Sequence, residues 1–299
     1  MQELQSGQKP ASPGRNGKNP STTAELGAIM RWAESGKPEA ERVCYDPYAV
    51  HFINRAYFDF AGQYPDLFGI VRMYLDRISP CILARVRYFD DVLKSSIDDG
   101  LEQLVILGAG YDMRAFRIDG MDQIRAFEVD QPATQSVKVE KVKAIFGSLP
   151  GNVTFVPLDL DSENLGQRLV ESGYGSSKKT LFLLEGLSYY IAPSTIDDIL
   201  SFIVHNSGRG SAVAFDYYPK SVIDGSHAQY RHGGAMVSRE PAEQWKFGVE
   251  GPVEAFLEAR GFTGVVNVAR EQCKREHFQG KGEGKDDSKL MQFVSAKVA

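Results

Sequence analysis

Short, continuously apolar segments alternate with longer amphipathic segments from residue 103 onward, and this alternation limits the folds open to the chain. Strands are predicted at five places, namely Gln103–Leu107, Ile124–Val129, Val153–Pro157, Thr180–Leu184 and Ser211–Phe215. Helices are predicted between them, at about 133–146, 162–172 and 193–206. Short strands that are apolar along both faces and separated by helices are typical of a parallel sheet covered on both sides. The sequence therefore predicts an α/β fold with a doubly wound sheet.

The segments that flank this core differ from it in composition. Residues 1–20 carry Pro, Gly, Ser, Asn and Lys with almost nothing to bury, which predicts a disordered tail. Residues 23–97 are predicted to form a helical cap. Within this cap, Ile82, Val86, Phe89 and Leu93 recur at intervals of three and four, which predicts a helix with one buried stripe.

The chain continues beyond the fifth predicted strand with an aromatic and polar segment. Residues 217–250 are rich in Tyr, His, Gly and Trp and follow the carboxyl end of a strand, which predicts a lid insertion over a substrate. A helix at about 252–260 and strands at about 263–269 and 290–298 are predicted to follow, with a hairpin loop at QGKGEGKDDSK (279–289) between those strands. We expect one domain over 21–299, with its core at 101–216 and the last helix and strands at 251–299.

Composition excludes several classes of partner. The chain of 299 residues has 34 basic and 39 acidic residues and a net charge of −5, which disfavours binding to nucleic acid. No apolar run approaches the roughly 20 residues of a membrane span, and the N-terminus lacks a signal-peptide core. Cys44, Cys81 and Cys273 are dispersed without metal-ligand spacing. We expect a cytoplasmic protein with reduced thiols, no metal site and no membrane or nucleic-acid partner.

The first predicted strand is followed by Gly108 and Gly110, separated by one residue. Ligands of open parallel sheets bind outside the carboxyl ends of the strands, where glycine permits a tight turn and close backbone approach. A dinucleotide fingerprint needs a third glycine at position 113, where this chain has Met113. The turn alone is consistent with a simple strand-to-helix connection.

Acidic residues follow three further strands. Glu128 and Asp130 lie 18 and 20 residues after Gly110, Asp159 lies beyond the third strand, and Glu185 ends the fourth. An acid at the end of the second strand can accept hydrogen bonds from both ribose hydroxyls. Any one of these acids alone could be a helix cap or a solvated charge. Together with the glycine turn, they predict a site for a nucleoside without a pyrophosphate.

The ordered motifs of the chain carry a family resemblance. LGAGYDMRAFR (107–117), FEVDQP (127–132), PLDLD (157–161) and LFLLEGLSYYI (181–191) resemble the leucine carboxyl methyltransferase family. This family also contains polyketide carboxyl O-methyltransferases and bacterial S-adenosylmethionine-dependent methyltransferases. The resemblance spans about 24–298. It implies a class I methyltransferase sheet, Rossmann-like and mostly parallel with an antiparallel last strand, and S-adenosylmethionine as cofactor.

The resemblance also implies a role for each site residue. Gly108 and Gly110 would line the methionine part of the cofactor, and Asp130 would hold the ribose with Glu128 nearby. Asp159 and Leu160 would contact the adenine. Glu185 would lie next to the methionine amino group.

The cofactor carboxylate needs a cation, and the resemblance implies an arginine in the helix before the first strand. Arg85 and Arg87 are both available. At about 100° per residue, Arg85 falls roughly 40° from the Phe89 edge of the buried stripe, whereas Arg87 falls roughly 100° from Val86. We therefore expect Arg85 to reach the pocket and Arg87 to face water. The resemblance implies Arg31 as another basic contact.

The resulting hypothesis is an O-methyltransferase that methylates the carboxylate of a small molecule or peptide by in-line transfer. A carboxylate is ionised near pH 7 and needs no general base, so no catalytic residue is predicted. A phenol or hydroxyl acceptor would benefit from a base, for which His227 and His232 are the nearest candidates in the lid. An NAD-dependent oxidoreductase and a catalytically silent cofactor-binding module remain alternatives. The acceptor and the oligomeric state stay open.

Overall fold

A computed structural model describes residues 20–227, 244–277 and 290–299. The predicted tail lies outside these residues except for Pro20, and the predicted hairpin loop at 279–289 lies wholly outside them. Of the predicted lid, 217–227 and 244–250 are described.

The described residues form ten α-helices and seven β-strands, numbered here in chain order. The helices are α1 (Thr22–Ser35), α2 (Arg55–Gln63), α3 (Pro65–Asp98), α4 (Arg114–Arg117), α5 (Pro132–Phe146), α6 (Leu165–Glu171), α7 (Pro193–His205), α8 (Lys220–Ile223), α9 (Val253–Glu258) and α10 (Arg270–His277). The strands are β1 (Gln103–Leu107), β2 (Arg125–Asp130), β3 (Val153–Pro157), β4 (Thr180–Leu184), β5 (Ala212–Tyr217), β6 (Phe262–Ala269) and β7 (Gln292–Val298).

The strands form one sheet in the order β3-β2-β1-β4-β5-β7-β6. The first five strands are mutually parallel, and β7 runs antiparallel to both of its neighbours. The predicted fold class, a mostly parallel doubly wound sheet with an antiparallel last strand, is confirmed. The strand order reverses between β1 and β4, so their carboxyl ends open a crevice of the kind that holds ligands in such sheets.

Helices bury both faces of the sheet. On one face, Ile196, Ile199 and Ile203 of α7 pack against alternate residues of the strands. On the other face, Phe89 and Leu93 of α3 pack against the residues in between. This two-sided burial explains why the central strands are apolar at every position rather than at alternate positions.

Two helices differ from the sequence predictions. The predicted stripe helix is part of α3, which has 34 residues and continues through Pro80. The helix α10 lies between the predicted strand at 263–269 and the predicted hairpin loop at 279–289, where no element was predicted. Its sequence is strongly polar, so it carries little apolar periodicity, yet Cys273 is buried and its thiol lies 3.3 Å from the carbonyl oxygen of Ala84 on α3. Among the described helices, none combines the length and apolar character needed to span a membrane.

Candidate functional site

The connection after β1 is a glycine turn that no larger residue fits. Gly108 and Gly110 have φ of +66° and +44°, a region that L side chains rarely adopt. A Cβ on Gly108 would lie 2.9 Å from a Cδ atom of Leu187, and one on Gly110 would lie 3.2 Å from the Cβ of Ala24. The turn is therefore held between the residues after β4 on one side and helix α1 on the other.

Asp130, the last residue of β2, faces this turn. Its two carboxylate oxygens accept the backbone N–H groups of Gly110 at 2.5 Å and Gln131 at 2.6 Å. Its carbonyl oxygen accepts the N–H of Leu158, which joins it to the end of β3. The side chain is only partly buried. Each carboxylate oxygen has a further lone pair, so Asp130 can also accept hydrogen bonds from a ligand hydroxyl.

Glu128 lies two residues earlier on the same side of β2 but is fully buried. The Nζ of Lys138 on α5 lies 2.6 Å from its Oε2, and Lys138 also donates to the carbonyl oxygen of Asp112. Burial raises the pKa of Glu128 to about 7, although Lys138 opposes the shift. The structure does not bring Glu128 to the exposed mouth with Asp130. It places Glu128 beneath the turn, where its cofactor contact remains a prediction.

Glu185 follows β4 directly and lies between two arginines. Its Oε1 accepts the Nε of Arg85 at 3.1 Å, and its Oε2 lies 2.6 Å from the Nη1 of Arg114. The side chain retains 14% exposure. A carboxylate fixed in this way beside the crevice can take a further cationic group on its exposed edge.

Arg85 points inward from α3. Its Nη1 lies 3.3 Å from the hydroxyl of Tyr189 and 3.4 Å from the Oδ2 of Asp216. Its side chain is 15% exposed, whereas Arg87 is 36% exposed and pairs with Asp91. The two arginines thus lie in the orientations that helix geometry predicts.

Arg85 and Glu185 belong to a cluster of ion pairs at this edge of the sheet. The sequence reasoning did not single out three of its members, Arg114, Asp112 and Asp216. Arg114 bonds Asp90, Asp112 and the carbonyl oxygen of Val86 and is 3% exposed. Although burial opposes ionisation, Arg114 and Lys138 hold the pKa of Asp112 well below its usual range. Asp216 lies near the end of β5. Asp216 directly follows the predicted strand that ends at Phe215, as Glu185 directly follows Leu184, so the same strand-end rule could have found it.

Arg31 on α1 braces the glycine turn from outside. Its Nε lies 2.8 Å from the Oδ2 of Asp46, and its Nη2 donates to the carbonyl oxygen of Tyr111 at 2.6 Å. Both of these contacts of Arg31 are with other residues of the protein. A direct contact between Arg31 and a cofactor therefore remains a prediction.

Asp159 and Leu160 form the turn after β3. The Oδ1 of Asp159 accepts the N–H of Asp161 at 3.1 Å, and Leu160 packs against the core on the α7 face. Asp161 joins this turn to the described end of the predicted lid, because its Oδ2 lies 2.7 Å from the Nζ of Lys246.

The tyrosines at the strand ends form a wall beside Arg85. Tyr189, Tyr190 and Tyr218 are buried, and the ring of Tyr218 stacks on Trp245 with 4.4 Å between centroids. Of the predicted base candidates, the backbone N–H of His227 donates to the carbonyl oxygen of Ser221. His232 lies outside the described residues. Within the described ranges, no group of three or more His, Cys, Asp or Glu residues could hold a metal ion.

The chain is similar to known proteins in sequence and in fold. The sequence model of the family described as leucine carboxyl methyltransferase matches residues 24–204. This chain belongs to the leucine carboxyl methyltransferase family. The match includes the glycine turn, Asp130 and Glu185, as the motifs predict.

Two relatives of this family member align with most of its length. YktD of Bacillus subtilis (strain 168), named as a candidate S-adenosyl-L-methionine-dependent methyltransferase, is 37% identical over 223 residues, which are 74% of this chain and 73% of YktD. A protein of Mycobacterium avium (strain 104) with the same description is 27% identical over 293 residues, covering 92% of this chain and 93% of its own length.

Solved structures share the fold at low sequence identity. A candidate methyltransferase from Thermobifida fusca YX has a TM-score of 0.56 at 13% identity, covering 96% of this chain and 97% of that protein. A DUF574 family protein from Streptomyces avermitilis MA-4680 has a TM-score of 0.56 at 12% identity, covering 94% and 98%. At such low sequence identities, these likenesses show a shared fold and nothing about activity. The predicted family, the methyltransferase class and the cofactor S-adenosylmethionine are confirmed by the family match and the relatives, and the NAD alternative is set aside.

The donor set at the sheet edge fits this cofactor. A ribose needs hydrogen-bond acceptors such as the carboxylate of Asp130, and an amino-acid end needs one anion and one cation, which Glu185 and Arg85 provide. The turn at Gly108 and Gly110, which Asp130 holds through the Gly110 N–H, carries no side chain and permits close backbone approach. The residues present therefore fit the ribose and the amino-acid end of the cofactor.

Proposed function

We propose that this family member transfers a methyl group from S-adenosylmethionine to a carboxylate of a small molecule or peptide. The observation that carries the proposal is the placement of Glu185 between Arg85 and Arg114, next to the glycine turn that Asp130 supports. This arrangement combines the ribose acceptor with a paired anion and cation at one edge of the sheet.

Each predicted site residue has a part in the proposal. Asp130 accepts the ribose hydroxyls, and Gly108 and Gly110 admit the methionine chain. Glu185 pairs with the ammonium group and Arg85 with the carboxylate of the amino-acid end. Asp159 and Leu160 line the adenine side. Arg31 and Glu128 support the glycine turn or make further contacts with the cofactor.

When bound, the cofactor supplies an electrophilic methyl group on a sulfonium. The work of the protein is to hold the acceptor in line with that methyl group and to exclude water. An ionised carboxylate needs no proton removed before it attacks. Arg85, Arg114, Glu185 and Asp216 are engaged with one another rather than aimed as a base, which favours an acceptor that is already ionised.

The proposed setting is the cytoplasm, with a small-molecule or peptide acid as partner. The net charge of −5 disfavours nucleic acid as the acceptor, since the chain as a whole does not attract a phosphate backbone. The segment 217–250 is proposed as the cover of the acceptor.

The test is a methyl-transfer assay with tritiated S-adenosylmethionine across pools of carboxylic acids, phenols and peptides. The proposal expects labelled product that releases volatile methanol in mild base, because methyl esters are base-labile. Base-stable label would indicate a phenol or hydroxyl acceptor instead. Cofactor binding without transfer to any pool would favour the silent binding module.

A further inference from the structure

Asp216 is a buried acid at the sheet edge to which neither the motifs nor the family assignment gave a role. It has no exposed surface. Its Oδ1 accepts the backbone N–H of Gly186 at 2.7 Å, and its Oδ2 faces the Nη1 of Arg85 at 3.4 Å. One carboxylate therefore holds both the residue after Glu185 and the arginine that pairs with Glu185.

The packing around Gly186 makes this contact specific. Gly186 has φ of +65°, and a Cβ there would lie 3.2 Å from both terminal nitrogens of Arg85. The guanidinium thus lies flat against the backbone of the turn. The hydroxyl of Ser188 donates to the carbonyl oxygen of Asp216, which joins the other side of the turn to β5. If Asp216 lost its charge, it could still accept the Gly186 N–H, but Arg85 would lose one of its two carboxylate partners.

Charge in the described part of this cluster is unbalanced. Three guanidinium groups, those of Arg85, Arg114 and Arg117, face four carboxylates, those of Asp90, Asp112, Glu185 and Asp216. Arg114 pairs with Asp90, Asp112 and Glu185, and Arg117 pairs with Asp90. Of these three arginines, Arg85 alone contacts Asp216, and it also pairs with Glu185.

Asp216 is ionised at neutral pH despite its burial. Burial raises its pKa to about 6, and Arg85 and the Gly186 N–H oppose that shift. The other ionisable groups around it are Glu185 and the hydroxyls of Tyr189 and Tyr218. Burial raises the pKa of both tyrosines. A phenol carries no positive charge in either protonation state, so neither tyrosine can take the place of the Arg85 cation.

We propose that Asp216 is a positioning residue that holds Arg85 and the Glu185–Gly186 turn in the orientation that receives the charged amino-acid end of the cofactor. The proposal rests on the proposed function, because it assumes that Arg85 and Glu185 bind that end. Asp216 itself is buried behind them and acts through them.

The test compares two probes that differ in that end alone. S-Adenosylhomocysteine carries adenine, ribose and the amino-acid end, whereas 5′-methylthioadenosine carries adenine and ribose without it. Asp216→Asn retains an oxygen for the Gly186 N–H but loses the charge that holds Arg85. By calorimetry, we expect the Kd of S-adenosylhomocysteine to rise by about tenfold or more, while that of 5′-methylthioadenosine changes by less than about twofold.

Glu34→Gln is the matched control. Glu34 is also buried, accepts a backbone N–H, that of Val43 at 2.7 Å, and pairs with one cation, Lys37, but it lies outside the cluster. Its variant removes the same kind of interaction and is expected to leave the Kd of both probes unchanged.

A double-mutant cycle keeps the test decisive if Asp216→Asn folds poorly. Removing both partners of a buried pair is often better tolerated than removing one. If Asp216 acts through Arg85, then Arg85→Met and the double variant Arg85→Met/Asp216→Asn bind S-adenosylhomocysteine equally weakly. Additive losses would overturn the inference.

The failure of the inference is distinguishable from failure of the proposed function. If the unaltered protein binds S-adenosylhomocysteine but Asp216→Asn weakens both probes equally, or neither, the positioning role is wrong. If the unaltered protein binds neither probe, the proposed function itself is wrong.

Discussion

At the residue scale, the turn after β1 depends on Gly108 and Gly110, where both the backbone conformation and the neighbouring atoms disfavour a side chain. Gly108 combines φ of +66° with Leu187 in the space that a Cβ would fill. Gly147, which ends α5, has φ of +77° with no atom within 4 Å of an added Cβ. Alanine substitutions at Gly108 and Gly147 therefore separate the cost of a left-handed backbone from the cost of the contact with Leu187.

We predict that Gly108→Ala lowers the free energy of unfolding by more than Gly147→Ala does. Both variants incur about 1–2 kcal/mol for a left-handed alanine, and Gly108→Ala adds about 1–3 kcal/mol for overpacking against Leu187. Urea unfolding of both variants measures the difference. Equal losses would mean that Leu187 moves aside without cost and that the turn is less constrained than its contacts indicate.

A second residue-scale prediction concerns the buried ion pair beneath the turn. Lys138→Met leaves Glu128 buried without its cation, which costs about 3–5 kcal/mol when Glu128 is ionised. The pKa of Glu128 is already about 7 in the native state, above the ordinary value of about 4.3, and loss of Lys138 raises it further.

The sign of the pH dependence follows from this upward shift. Because the native state holds the proton on Glu128 more tightly than the unfolded state does, the loss relative to the unaltered protein is full only above the raised pKa of Glu128 in the variant, and it shrinks as the pH falls through that pKa toward about 7. Urea unfolding of Lys138→Met at pH 8 and pH 5.5 is expected to show the larger loss at pH 8. Glu128→Gln/Lys138→Met should remove this dependence, and a loss that is equal at both pH values would contradict the account.

At the scale of elements, α1 is fixed against the glycine turn at both of its ends. The side chain of Ser21 caps the N–H of Ala24, and the backbone N–H of Ser21 donates to Thr134 on α5. Ala24 lies next to Gly110, and Arg31 bonds the carbonyl oxygen of Tyr111. An opening of α1 would uncover the turn on which the cofactor is proposed to lie.

We therefore predict that S-adenosylhomocysteine slows amide hydrogen exchange across α1. A ligand that binds only the closed form stabilises it in proportion to its occupancy. The helix α9, which packs on the opposite face of the sheet, provides the internal control and should be unaffected. Slower exchange confined to β1 and β2, with α1 unchanged, would show that α1 is not part of the binding unit.

The elements also show what sequence could and could not predict. The strands were recognised because burial on both faces makes them apolar throughout, and their ends then located Gly108, Asp130 and Glu185. The helix α10 was missed because its polar sequence owes its burial to packing on α3. The burial of Glu128 was also hidden, because Lys138 reaches it from the next helix and no local pattern records that contact.

At the scale of the whole molecule, an acidic protein brings three arginines with largely buried side chains together at one edge of its sheet. Arg85, Arg114 and Arg117 come from α3 and α4, and the acids that hold them come from α3, the glycine turn, β4 and β5. The family fold thus brings residues more than 130 positions apart, such as Arg85 and Asp216, into direct contact. No periodicity or motif spacing encodes that contact, whereas the topology of the sheet does.

The central claim is that the edge formed by β1, β2 and β4 binds S-adenosylmethionine through Asp130, and calorimetric titration with S-adenosylhomocysteine tests it most directly. The account predicts saturable binding to the unaltered protein, a Kd raised by about tenfold or more in Asp130→Asn, and no change in Asp122→Asn, an exposed acid just before β2. Absence of binding to the unaltered protein at hundreds of micromolar ligand, or equal Kd values for all three proteins, would contradict it.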